Sequence, residues 1–167
     1  MEAYCAFCRT NREENAAMQI NRLYASLGMQ AIVPVRIIKE RCRGALREVR
    51  KPLLPGYVLI YSNFHLRPSM IRSVEDVIKL LCYPGGEYAL NGEDLAYANF
   101  VHINNGVIGI SDILCEGKEV KVLSGPLEEL NGTIIKLDRR KQRVLMRVRF
   151  DGLERDISLS ANIVTAV

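Results

Sequence analysis

The sequence predicts an α+β protein of two modules, a ferredoxin-like domain followed by a small five-stranded β-barrel. Three observations carry that expectation. Up to about residue 104 the apolar pattern runs strand, helix, strands, helix, strand. Residues 104–111 then hold two glycines, two asparagines and a serine with no helical stripe, which is the composition of a linker. Past Asp112 only short β-branched runs remain, separated by Gly, Pro, Asn and Asp. The expected boundaries are residues 1–104 for the first domain, 105–114 for the linker and 115–167 for the barrel.

Within the first module, Tyr4 to Arg9 is expected as a strand. Asn11 with Glu14 has the spacing of a capping box, so a helix should follow. Ala17, Ile20, Leu23, Tyr24 and Leu27 recur at the spacing of one buried face, and Gly28 can take the positive φ just past the helix end. Ile32 to Lys39 and Leu46 to Lys51 form a basic hairpin turning near Gly44. After Pro55-Gly56, Tyr57 to Tyr61 has the content of a central strand buried on both faces. Pro68 opens a short helix to about Ser73, and Val77 to Leu81 forms a further strand before Gly85-Gly86 turns the chain. Asn91 and Asp94 mark the start of a last helix whose face is Leu95, Ala98 and His102 or Ile103.

In the second module the expected strands are Val120–Val122, Gly132–Ile135, Val144–Phe150, Arg155–Leu159 and Ile163–Val164. Gly125-Pro126, Asn131-Gly132, a basic turn and Asp151-Gly152 separate them. Val120, Val122 and Ile134 should alternate into the core. A barrel of this size buries only about 60% of its unfolded surface, so its stability should be marginal.

Composition narrows the function. A 49% hydrophobic and 25% charged chain of 167 residues is that of a globular protein. No window approaches a membrane span and no signal peptide opens the chain, so the expected location is the cytoplasm, with no membrane partner. Five cysteines at irregular spacing indicate reduced thiols. Cys5 and Cys8 form one C-x-x-C with no second pair. A metal or redox site is weighed there against buried thiols of a strand whose residues three apart face opposite ways. No metal and no cofactor are expected. The P-loop, nucleophile-elbow and zincin motifs are absent, which argues against an enzyme.

The net charge of +4 is modest but clustered. Residues 36–51 carry Arg36, Lys39, Arg41, Arg43, Arg47, Arg50 and Lys51 against Glu40 and Glu48. Residues 136–149 carry Lys136, Arg139, Arg140, Lys141, Arg143, Arg147 and Arg149 against Asp138. Such clusters mark either a polyanion binder or a solvated face.

Two motifs carry a resemblance. Gly117–Val122, Gly125-Pro126-Leu127 and Gly132-Thr133-Ile134 resemble the KOW motif of SH3-like barrels, with Leu127 where phenylalanine is commoner. Lys51–Leu59, with Leu53-Leu54-Pro55-Gly56-Tyr57 at its centre, resembles the basic-x-aromatic-aromatic-Pro-Gly-Tyr-Val segment of the NusG N-terminal (NGN) domain. Tyr4, Thr10, Glu13 and Glu14 resemble that domain's opening strand and helix. Together they cover nearly the whole chain and identify it as resembling the NusG family of transcription elongation factors.

The resemblance implies an RNA polymerase-associated elongation and antitermination factor that acts as a monomer. It implies that Phe7, Leu54, Pro55, Tyr57 and Leu59 contact the polymerase clamp helices, with two leucines replacing the usual aromatic pair. Read from the residues alone, Leu54 and Tyr57 are also consistent with plain core positions flanking a turn. Arg9, Arg12, Arg72 and Ser73 match positions with which specialised, operon-specific antiterminators of the RfaH kind read the displaced, non-template DNA strand. The strip Arg139, Arg140, Lys141, Arg143, Arg147 and Arg149 would grip RNA, a leader hairpin included. Six phosphate contacts on a duplex would give a log-log salt slope of about −5. The alternatives are a housekeeping factor whose KOW domain meets a ribosomal protein or Rho, and a free RNA-binding or ribosome-associated KOW protein.

Overall fold

The structure, a computed structural model, describes residues 1–166; Val167, the last residue of the expected barrel, lies outside them. Among the described residues, twelve strands and three α-helices are arranged in two compact units, residues 1–34 with 54–98, and residues 35–53 with those from 99 onward.

The first unit is a four-stranded antiparallel sheet in the order β2-β5-β1-β6. The strands are β1 (Glu2–Cys8), β2 (Met29–Ile32), β5 (Tyr57–Ser62) and β6 (Val77–Leu80). Every residue of β5 is buried, as its unbroken apolar run predicted. One sheet face packs under α1 (Glu13–Tyr24) through Tyr4, Ala6, Val58, Ile60, Ala16, Ala17 and Ile20. On the other face the Tyr61 hydroxyl donates to the Ala98 carbonyl of α3 (Gly92–Ile103) at 2.7 Å.

Two expectations for α1 fail. Asn11 takes a left-handed φ of 66° and does not cap; Arg12 precedes the helix without a side-chain cap bond. The buried stripe is Glu13, Ala16, Ala17 and Ile20, while Leu23 and Leu27 are exposed because the helix gives way to a 3-10 turn over Ala25–Leu27. Gly28 ends that turn at φ 88°, as expected. In α3, Ala98 is buried but Ile103 is exposed, and Tyr97, Phe100 and Val101 supply the rest of the packing face. The short helix is α2 (Pro68–Arg72).

The second unit contains the basic hairpin, β3 (Val35–Cys42) and β4 (Ala45–Pro52), which turns at Arg43-Gly44 with both residues at positive φ. The stretch expected as a linker, 105–114, instead holds β7 (Val107–Ile108), which pairs parallel with β3, and the start of β8 (Ser111–Glu116). The barrel domain is a curled sheet ordered β10-β11-β12-β8-β9, with β9 (Glu119–Ser124), β10 (Thr133–Asp138), β11 (Arg143–Phe150) and β12 (Leu153–Thr165). The two short strands expected after Gly152 are one continuous strand, which bends to pair with β11 first and β8 afterwards.

The core comes from Val144, Met146, Val148 and Phe150 of β11, with Ile157 and Leu159 of β12 and Ile113 and Cys115 of β8. Val120, Val122 and Ile134 stand opposite the buried Cys115, Ile113 and Met146 and so alternate inward as expected, but Val120 is 37% exposed and Val122 and Ile134 are only half-buried, so they edge the core and do not fill it. Gly125 does what its motif requires: at φ 95° an added Cβ would lie 2.8 Å from Ser111 Cα.

Candidate functional site

The Leu53–Tyr57 turn is built from both ends. Gly56 has φ 87°, and a Cβ there would come within 2.8 Å of the Phe7 ring. Its N–H donates to the Glu13 carboxylate at 2.7 Å, and its carbonyl accepts from the Cys8 N–H at 2.7 Å. Glu13 is itself 5% exposed, so the first turn of α1 and the end of β1 clamp the peptide between them. Phe7 and Tyr57 face each other across β1 and β5 with ring centroids 5.4 Å apart, and the Lys79 ammonium lies 6.0 Å from the Phe7 centroid.

Of the five residues expected to touch a partner here, Pro55 is exposed and Phe7 half-buried. Leu54 and Tyr57 retain 8% and 6% exposure, and Leu59 retains none. Leu59 is therefore a core residue and not a contact surface, because the inner strand β5 is covered on both faces.

A second group gathers where the turn into α1 meets the turn into β6. Asp76, at φ 68°, accepts from Asn15 at 2.7 Å and from Arg12 Nε at 3.0 Å, with Arg9 at 3.8 Å; its carbonyl takes the Arg9 N–H. The Asn15 hydrogen bond, then those of Arg12 and the charges of Arg12 and Arg9, hold the Asp76 carboxyl below the usual carboxylate range against the opposing pull of burial. Arg9 and Arg12 are thus brought together and largely exposed, but around a carboxylate that the sequence reading overlooked. Arg72 and Ser73 lie on the exposed segment leading to Asp76, with Arg72 donating to the Tyr88 hydroxyl at 2.9 Å.

The barrel strip is not the run of open cations expected. Residues 143, 145, 147 and 149 do share the outer face of β11. Arg147, however, forms a fork with Asp156 at 2.8 and 3.1 Å, which raises its pKa and lowers that of Asp156. Arg143 is held toward the hairpin, with Nη2 3.5 Å from the Lys39 carbonyl and 3.9 Å from Glu40. Arg149 stands opposite Glu154. Arg139, Arg140 and Lys141 remain exposed in the β10–β11 turn, which Asp138 stabilises by accepting the Lys141 N–H at 2.9 Å.

Cys5 and Cys8 are both buried and sit on opposite faces of β1. Burial, then the charges of Glu13 and Asp76, push the Cys8 thiol up to about 12, far from a reactive thiolate. Among the described residues no group of three or more His, Cys, Asp or Glu could hold a metal ion, and no helix is long and apolar enough to cross a membrane.

Residues 1–96, which contain both the clamped turn and the Asp76 cluster, match the family model described as transcription termination factor NusG. The chain belongs to the NusG family. A relative from Thermus thermophilus, named transcription termination/antitermination protein NusG, is 22% identical over 177 residues, covering 95% of each chain. A protein of the same name from Rickettsia typhi is 27% identical over 133 residues, covering 78% of this chain and 69% of its own. A solved structure titled "Domain interaction in Thermotoga maritima NusG" aligns over 95% of this chain and 93% of its own, at a TM-score of 0.53 and 19% identity. That likeness extends the shared fold beyond residue 96 into the barrel. The family assigns this chain a role in transcription.

Proposed function

We propose that this NusG-family chain is an RNA polymerase-bound elongation and antitermination factor. In this reading the segment 1–104 docks on the clamp helices and the barrel segment 115–167 takes RNA or a second factor. The clamped Leu53–Tyr57 turn carries the proposal. Holding the Gly56 N–H on the Glu13 carboxylate and the Gly56 carbonyl on the Cys8 N–H fixes the turn so that Pro55 stays exposed, next in sequence to a glycine packed close to the Phe7 ring. That is a rigid apolar knob whose ordering cost is met before a partner arrives. Arg9, Arg12, Arg72 and Ser73 are proposed to meet the displaced DNA strand; Arg139, Arg140 and Lys141 are proposed to meet RNA phosphates, as in a specialised antiterminator.

The test is retention of this chain on immobilised core polymerase. Substituting Pro55→Asp together with Phe7→Ser should cut retention at least tenfold while the thermal unfolding profile stays cooperative. Undiminished retention sinks the clamp assignment. These positions serve better than Leu54 or Tyr57, whose burial would confound docking with folding.

A second reading of the barrel is favoured by its exposed apolar residues Val120, Leu123 and Ile135 on β9 and β10, the two end strands of its sheet. In that reading the barrel holds a protein, a ribosomal protein or Rho, as a housekeeping factor would.

A further inference from the structure

The outer face of β10, β11 and β12 contains a cleft of about 180 Å³ lined by Lys136, Asp138, Lys141, Arg143, Leu145 and Ser158. Register explains why these side chains converge. Lys136 pairs with Leu145, Asp138 with Arg143 and Leu145 with Ser158, so all lie on one face. A bulge between Ile134 and Lys136 takes up one extra residue, which lets Ile134 and Leu137 keep the inward phase while Lys136 stays outward.

The charge in this cleft is unbalanced. Three cations face one carboxylate, and that carboxylate is already committed to the Lys141 N–H. Behind the cleft, Arg36 of β3 donates to the Ser158 carbonyl. The Nε atoms of Arg36 and Arg143 are both buried without a hydrogen bond, as is the Ser160 hydroxyl opposite Arg143. Burial, then the charge of Arg143, lowers the pKa of Arg36, so the two guanidinium groups repel. Among the described residues, the one carboxylate in an ion pair with Arg143 is that of Glu40, at 3.9 Å and shared with Lys51, beside the neutral Lys39 carbonyl at 3.5 Å.

We propose that this cleft is a phosphate-binding site, in which Lys136, Lys141 and Arg143 hold the oxygens of one phosphate group. At about 30 Å³ per water, the volume suits a phosphate with a few bridging waters and not a base or a peptide side chain. An anion there neutralises the local excess and relieves the repulsion between Arg143 and Arg36. The proposal deepens the RNA-binding reading of the barrel by giving one phosphate a fixed seat; the source is either a backbone diester or a terminal monoester of RNA.

The test uses the full, isotope-labelled chain and inorganic phosphate titrated at constant ionic strength. Amide resonances of residues 136–143 and of Ser158 should shift and saturate. Lys136→Gln with Lys141→Gln should weaken phosphate roughly tenfold. Lys118→Gln with Lys121→Gln, which removes equal charge from exposed positions elsewhere on the barrel, should change it by less than about twofold. Shifts that never saturate, or equal loss in both variants, overturn the site. An RNA oligonucleotide with a 5′-phosphate and the same one with a 5′-hydroxyl then compete against phosphate. Equal displacement identifies the backbone diester; displacement by the phosphorylated one alone identifies the terminal monoester. If phosphate saturates and neither RNA displaces it, the site stands and the RNA reading falls. If RNA binds the chain while phosphate does not saturate, the site falls and the RNA reading stands.

Discussion

Gly56 is the residue on which the proposed polymerase contact depends most, and Glu13 is what holds it. Glu13→Ala leaves the buried Gly56 N–H without an acceptor, a loss of about 1–3 kcal/mol, whereas Glu13→Gln keeps an acceptor oxygen and should cost less than half as much. The urea midpoint measures the difference, and equal midpoints for both variants would dismiss the clamp. Asp76 gives a pH-dependent counterpart. Its folded pKa lies below its unfolded value, so its contribution is fully present above about pH 4 and is lost as pH falls through that value toward the folded pKa. The stability gap between the wild type and Asp76→Asn should therefore be constant near neutrality and close below about pH 4; a gap that widens on acidification contradicts the assignment. At this scale the sequence showed the Pro-Gly turn and the basic residues plainly. It hid Glu13 as a support and Asp76 as a partner, because Gly56 stands 43 residues from the first and Arg12 stands 64 residues from the second.

At the scale of elements, periodicity located nearly every strand and helix but not what happens where one pattern meets another. The capping-box spacing of Asn11 and Glu14 was a genuine local signal, overridden because Asn11 is needed in a left-handed turn that returns Arg9 and Arg12 toward Asp76. The composition of 104–111 resembled a linker because β7 is two residues long and earns its place only by pairing with β3, a contact no local pattern encodes. The β10 bulge was equally invisible, and it yields a prediction. Ile135 is 42% exposed and is the extra residue between two correctly paired segments. Deleting it should leave Ile134 and Leu137 facing inward, with unchanged far-ultraviolet circular dichroism and a stability loss of no more than about 2 kcal/mol. Deleting Leu137 instead puts Asp138 into the inward phase and should unfold the barrel. Similar losses for the two deletions would mean that the bulge itself is needed to curl the sheet.

For the molecule as a whole, net charge is a poor guide to the strength of a polyanion contact, because the cations of this chain differ in what already surrounds them. Arg143 and Arg147 already have intramolecular acceptors on Lys39, Glu40 and Asp156, and they must exchange those for phosphate oxygens. Lys136, Arg139, Arg140 and Lys141 are exposed on β10 and the turn that follows it. Counterion release counts only phosphates newly neutralised, so four contacts give a log-log salt slope of about −3 on single-stranded RNA, against about −4 for a fully open strip of six on the same RNA. Fluorescence anisotropy of a labelled RNA with the full chain, across a salt series, reads the slope directly. A value near −3 means the acidic partners on β3 and β12 stay in place during binding. A value near −4 means Glu40 and Asp156 release their arginines when RNA arrives, and Glu40→Gln should then tighten binding at low salt. A slope shallower than about −1 would remove the barrel's cations from RNA recognition altogether and leave the exposed apolar end strands as its working surface.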